Sequence, residues 1–101
     1  MKRILTAAVL SLVALHAHAE RDTCAELADA AQTYMQARQL GVTMLELSQS
    51  MDESGVSPEM KKVSMSIAAK AYKRPIVEGS EAKLKAAQEF GNEAYIGCTG
   101  G

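Results

Sequence analysis

Two cysteines, Cys24 and Cys98, stand near the two ends of the chain that remains once an N-terminal leader is set aside. No other feature restricts the fold as much. In an exported chain two cysteines allow one intramolecular bridge. That bridge closes a loop of roughly 75 residues, worth about 4–5 kcal/mol through loop-closure entropy. It also bears on helix count. In an up-down arrangement an even number of helices returns the chain to the end where it began. Three helices would leave the cysteines roughly 25 Å apart at 1.5 Å per residue, against a Cα–Cα limit of about 7 Å for a disulfide.

The export premise comes from residues 1–19. Lys2 and Arg3 form a basic start, Ile4 to Leu15 is an apolar run, and Ala17-His18-Ala19 offers a small-x-small cleavage pattern. The run is too short to span a bilayer, which takes roughly twenty helical residues. Cleavage after Ala19 is expected, and Glu20 stands where a lipid-anchor cysteine would be needed. The remaining segment, 20–101, is expected to be a single helical domain, soluble in the periplasm and not inserted in the membrane. It has lost both histidines, His16 and His18, and carries nine Lys and Arg against twelve Asp and Glu, a net charge of −3. Nucleic-acid binding needs a basic footprint, so none is expected.

Punctuation along the chain predicts four helices. Thr23-Cys24-Ala25-Glu26 reads as a capping box, followed by a stripe of Cys24, Leu27, Ala28, Ala31 and Met35 running to about Leu40. Gly41 supplies a left-handed stop. Thr43-Met44-Leu45-Glu46 repeats the box, with Met44, Leu47 and Met51 inward and an end near Asp52–Ser54. Ser57-Pro58-Glu59 opens a third helix with the stripe Met60, Val63, Ile67, Ala71. Lys70, Lys73 and Arg74 crowd its end, where the helix dipole favours cations, and Pro75 closes it. Ser80 is expected to cap a fourth helix with the stripe Leu84, Ala87, Gly91, Ala94, Cys98. The fold expected is all-α: a small four-helix up-down bundle closed by one disulfide between its chain ends.

Catalytic parts are scarce. Without histidine there is no Ser-His or Cys-His pair, and no glycine loop that would cradle a phosphate. Two cysteines without histidine make a poor metal site, and Glu89/Glu93 read as solvated charges four apart on a helix. No enzyme activity, cofactor or metal is expected.

Two stretches are candidates for contact with another protein. Arg38 and Gln39 sit in the last turn before the Gly41 corner, and arginine presents a planar fork of donors. Alternatively, Arg38 caps carbonyls at the end of the first helix or ties that helix to a neighbour's acid. Tyr72, Lys73 and Arg74 pair an aromatic with two cations ahead of a stiff turn, the make-up of a small hot spot. Alternatively, Tyr72 is core and the cations serve the dipole.

Taken together, Cys24, "YMQARQLG" (34–41), "AYKRP" (71–75) and "FGNEAYIGC" (90–98) resemble a group of small exported helical proteins of proteobacteria and their prophages. The resemblance implies the Cys24–Cys98 bridge and a structural role for Arg38, Gly41, Tyr72 and Pro75. It implies no activity. The function expected is that of a non-catalytic protein-binding module, such as an inhibitor, immunity-type or accessory factor. The alternative is a periplasmic stress chaperone, since protonating every carboxylate would leave a charge of about +9 and loosen the bundle.

Overall fold

A short polar residue ahead of an apolar stripe starts each of the first three helices. In the computed structural model, which describes residues 22–100, α1 spans Thr23–Gln39, α2 Met44–Glu53, α3 Pro58–Tyr72 and α4 Ser80–Thr99. The expected leader, 1–19, lies outside the described residues. Thr43 forms the full capping box, accepting from the Glu46 amide at 3.1 Å while the Glu46 carboxylate accepts from the Thr43 amide at 3.1 Å. Ser57 accepts from the Met60 amide, with Pro58 in the first turn.

Two caps shift by one residue. Asp22, not Thr23, caps α1 by accepting the Cys24 amide at 3.0 Å. A carboxylate at a helix N-terminus also answers the dipole, which a hydroxyl does not. Gly79 (φ +96°), not Ser80, precedes α4, and no side chain caps that helix. The 73–79 crossing is anchored from α1, and its register leaves Ser80 already helical.

The chain runs up, down, up and down. At one end the Cys24–Cys98 disulfide joins the start of α1 to the end of α4 with a Cα–Cα separation of 5.5 Å. At the other, Lys83 of α4 reaches the last carbonyl of α1 and Tyr72 of α3 reaches Val42. Among the described residues this is an all-helical four-helix bundle closed by one disulfide. A bridge of this kind belongs to an oxidising, non-cytoplasmic compartment. No described helix is long and apolar enough to cross a membrane.

The helices are unequally packed. α1 lies against α4 and α3, and α2 lies against α3. The core is correspondingly small: Ala31, Met35, Ala71, Ala87 and Phe90 form its cluster, with Tyr34, Ile67, Tyr72, Ala86 and Ala94 packed around it. Small residues allow close approach, most tightly at Gly91, where a Cβ would stand 3.0 Å from the Ala28 carbonyl oxygen and 3.2 Å from Gln32 Cβ.

Two expected stripes are buried only in part: Ile67 and Ala71 on α3, and Ala87, Gly91 and Ala94 on α4, lie in or against the core, and the outer members do not. On α3, Ala68 and Ala71 are buried while Met60 and Val63 are about half exposed, at 53% and 47%. On α4, Ala87, Phe90 and Gly91 are buried while Leu84 is exposed. The reason is positional. α3 is covered on the sides facing α1 and α2, and α4 does not close over its remaining flank.

Candidate functional site

α1 and α3 climb side by side and end together, which joins the two candidate stretches into one structure. The end of α1 is a Schellman turn: the Val42 amide donates to the Ala37 carbonyl at 3.0 Å and the Gly41 amide to the Arg38 carbonyl at 3.1 Å. Gly41 sits at φ +85°, a conformation in which a Cβ is strained. The turn holds Arg38 and Gln39 facing the end of α3.

Gln39 is 3% exposed, and its amide binds the 73–79 crossing from both sides. Its Nε2 donates to the Pro75 carbonyl at 3.0 Å and its Oε1 accepts the Val77 amide at 2.9 Å. Lys83 completes the brace, with Nζ donating to the Gln39 carbonyl at 3.0 Å and to the Val77 carbonyl at 2.7 Å. Arg38 Nε donates to the Arg74 carbonyl at 3.0 Å, and its guanidinium lies 5.5 Å from the centre of the Tyr72 ring. Tyr72 in turn donates its hydroxyl to the Val42 carbonyl at 2.6 Å. Burial raises the Tyr72 pKa above the ordinary phenol value, and the neighbouring Arg38 charge opposes that rise.

Three of the five candidates, Arg38, Gln39 and Tyr72, therefore hold backbone carbonyls and amides of the corner. Lys73 and Arg74 are exposed. Arg74 reaches across to α4, pairing with Glu93 at 3.0 Å and lying 5.3 Å from the centre of the Phe90 ring. The arrangement ties the end of α1 to the end of α3 and to the 73–79 crossing. Side-chain donors bind backbone carbonyls of the corner, and no described group of three or more His, Cys, Asp or Glu could hold a metal ion.

Comparison with protein-family models, with curated proteins and with solved structures finds no match.

Below Arg74, the uncovered flank of α3 becomes a groove of about 720 Å³ between α3 and α4, with α1 beneath. Its upper end carries Lys70, Lys73, Arg74 and Glu93, with Phe90 in the floor. Its lower end is Val63, Ile67, Leu27, Ala94, Gly97 and the bridged Cys98.

Sequence reasoning missed Lys83, the Arg74–Glu93 pair and the groove. Lys83 carried a signal: a cation in the opening turns of a helix opposes the dipole and calls for a partner elsewhere. The pair and the groove join positions far apart in sequence, with no periodic relation to reveal them.

Proposed function

We propose that this chain is a periplasmic, non-catalytic protein-binding module that engages its partner through the cationic end of α3. The observation that carries the reading is the division of labour at the corner. Arg38, Gln39, Tyr72 and Lys83 are spent on bracing, and Lys73 and Arg74 are left exposed on the braced turn. Rigid display limits the side-chain and loop ordering that opposes association. The complementary partner presents acidic side chains. The disulfide and the leader-type sequence of residues 1–19 support export, and the resemblance to small exported proteins fits the same compartment.

The test is capture from a periplasmic extract with the oxidised protein as bait, at pH 7 and pH 3, followed by binding measurements with the purified partner. One stoichiometric partner at pH 7, lost in the Lys73→Glu/Arg74→Glu variant and kept in a Lys62→Glu control, supports the reading. Many weak clients appearing only at pH 3 would replace it with the chaperone alternative.

A further inference from the structure

The α3–α4 groove is graded from end to end. Val63 and Ile67 of α3 give way to Lys70, roughly 10 Å further along the helix at the helical rise, and then to Lys73 and Arg74 just past the helix end. On α4, Gly97 and Ala94 at the lower end keep the floor low, and Phe90 underlies the upper end. The cations outnumber the one acid there: Glu93 is paired with Arg74, while Lys70 and Lys73 are exposed and pair with no described acid. A volume of about 720 Å³ lies inside the range of small-ligand pockets, typically ~300–1,000 Å³ with mostly apolar walls and a few placed polar groups.

We propose that this groove is a binding site for a monomeric single-chain anionic amphiphile, with its head at Lys70 and Lys73 and its tail laid toward Gly97. The charge at one end selects an anionic head, and the apolar lower end takes the tail. A bilayer surface fits less well. Phe90, in the floor, is 5% exposed and does not protrude, and the segment 20–101 carries net negative charge. The site shares Lys73 with the protein-partner reading, and Lys70 and Gly97, which only the groove uses, tell the two apart.

The experiment titrates the oxidised, ¹⁵N-labelled protein with laurate below its micellar concentration at pH 7, following amide shifts and calorimetric heat. Dodecyltrimethylammonium is the cationic control, and phosphatidylglycerol vesicles are the bilayer control. Saturable one-to-one laurate binding is expected, with shifts at Lys70, Lys73, Phe90 and Gly97 and little response to the cation. Two variants probe opposite ends. Gly97→Leu projects into open space, where a Cβ meets nothing within 4 Å, and Lys70→Gln/Lys73→Gln removes the head contacts. Each is expected to weaken laurate roughly tenfold or more, with helical circular dichroism confirming the fold. The proposal is overturned by absence of saturation, by equal affinity for the cation, by binding that survives both variants, or by attachment to vesicles without binding of monomer.

Discussion

Gln39 stands in for a backbone strand to Val77: its Oε1 accepts the Val77 amide at 2.9 Å, while its Nε2 donates to the Pro75 carbonyl at 3.0 Å. One buried side chain on α1 thereby sets the path of the crossing from α3 to α4. Because Lys83 then ties that crossing to the α1 C-terminus, the three helix ends behave as a single braced unit.

Replacing Gln39 by leucine leaves a Val77 amide and a Pro75 carbonyl without their partner. An unsatisfied buried polar group costs about 1–3 kcal/mol, and these two groups are part-buried, which places the loss toward the lower end. In a domain of this size each 1 kcal/mol moves Tm by about 4–8 °C. Denaturant and thermal unfolding of Gln39→Leu should show a loss of that order, and an unchanged midpoint would mean the crossing is held elsewhere.

Gly91 and Gly97 lie on the same helix and should respond oppositely to alanine. At Gly97 a Cβ meets nothing within 4 Å, so Gly97→Ala should stabilise by up to about 1 kcal/mol through helix propensity. At Gly91 the new methyl meets a backbone carbonyl of α1 at 3.0 Å. Overpacking costs typically about 1–3 kcal/mol, so Gly91→Ala should be neutral to destabilising, and Gly91→Val clearly destabilising. Unfolding midpoints of the three variants decide it.

Reducing the Cys24–Cys98 bridge, or replacing both cysteines by serine, should lower stability by up to about 4–5 kcal/mol for a loop of this length. Comparing oxidised and reduced protein by thermal unfolding measures the loss. Equal midpoints would show that α1–α4 packing alone suffices.

The Thr43 cap should be acid-sensitive. Hydrogen bonds from the Thr43 amide and hydroxyl lower the Glu46 pKa below its ordinary 4.5. A depressed carboxylate contributes stability above its unfolded pKa and loses it as pH falls through the folded value. Between pH 7 and about pH 3 wild type should therefore lose more stability than Glu46→Gln. Parallel pH profiles for the two proteins would refute this.

Tyr72 should be alkali-sensitive. Its pKa is raised by burial, so its contribution is complete below pH 10 and declines as pH rises through the ordinary phenol value toward the folded one. Tyr72→Phe should remove that decline. It should also cost about 0.5–1.5 kcal/mol at neutral pH, the net worth of a hydrogen bond such as that to Val42. An alkaline unfolding series on both proteins reads both effects.

Legibility followed the range of the interaction. The Thr43 box, the Ser57-Pro58 start and the Gly41 stop involve neighbours in sequence, and all three occur as expected. Cap positions at Asp22 and Gly79 differ by one residue because adjacent residues compete for the role. Arg38, Gln39 and Tyr72 stood out as unusual choices in the sequence. Their partners are mostly backbone groups thirty or more residues away, which no local pattern encodes.

The sequence by itself determined the helix number, the turns and the opportunity for a disulfide, because these depend on local backbone chemistry and on parity. The apolar stripes also marked Ala31, Met35, Met51, Ala71, Ala87 and Gly91, which are buried, and only the tertiary structure decided how far along each helix that cover extends. An apolar stripe specifies that a face seeks cover without specifying which neighbour covers it. With α1 taking both α3 and α4, Val63 and Ile67 line an open groove beside Lys70, Lys73 and Arg74.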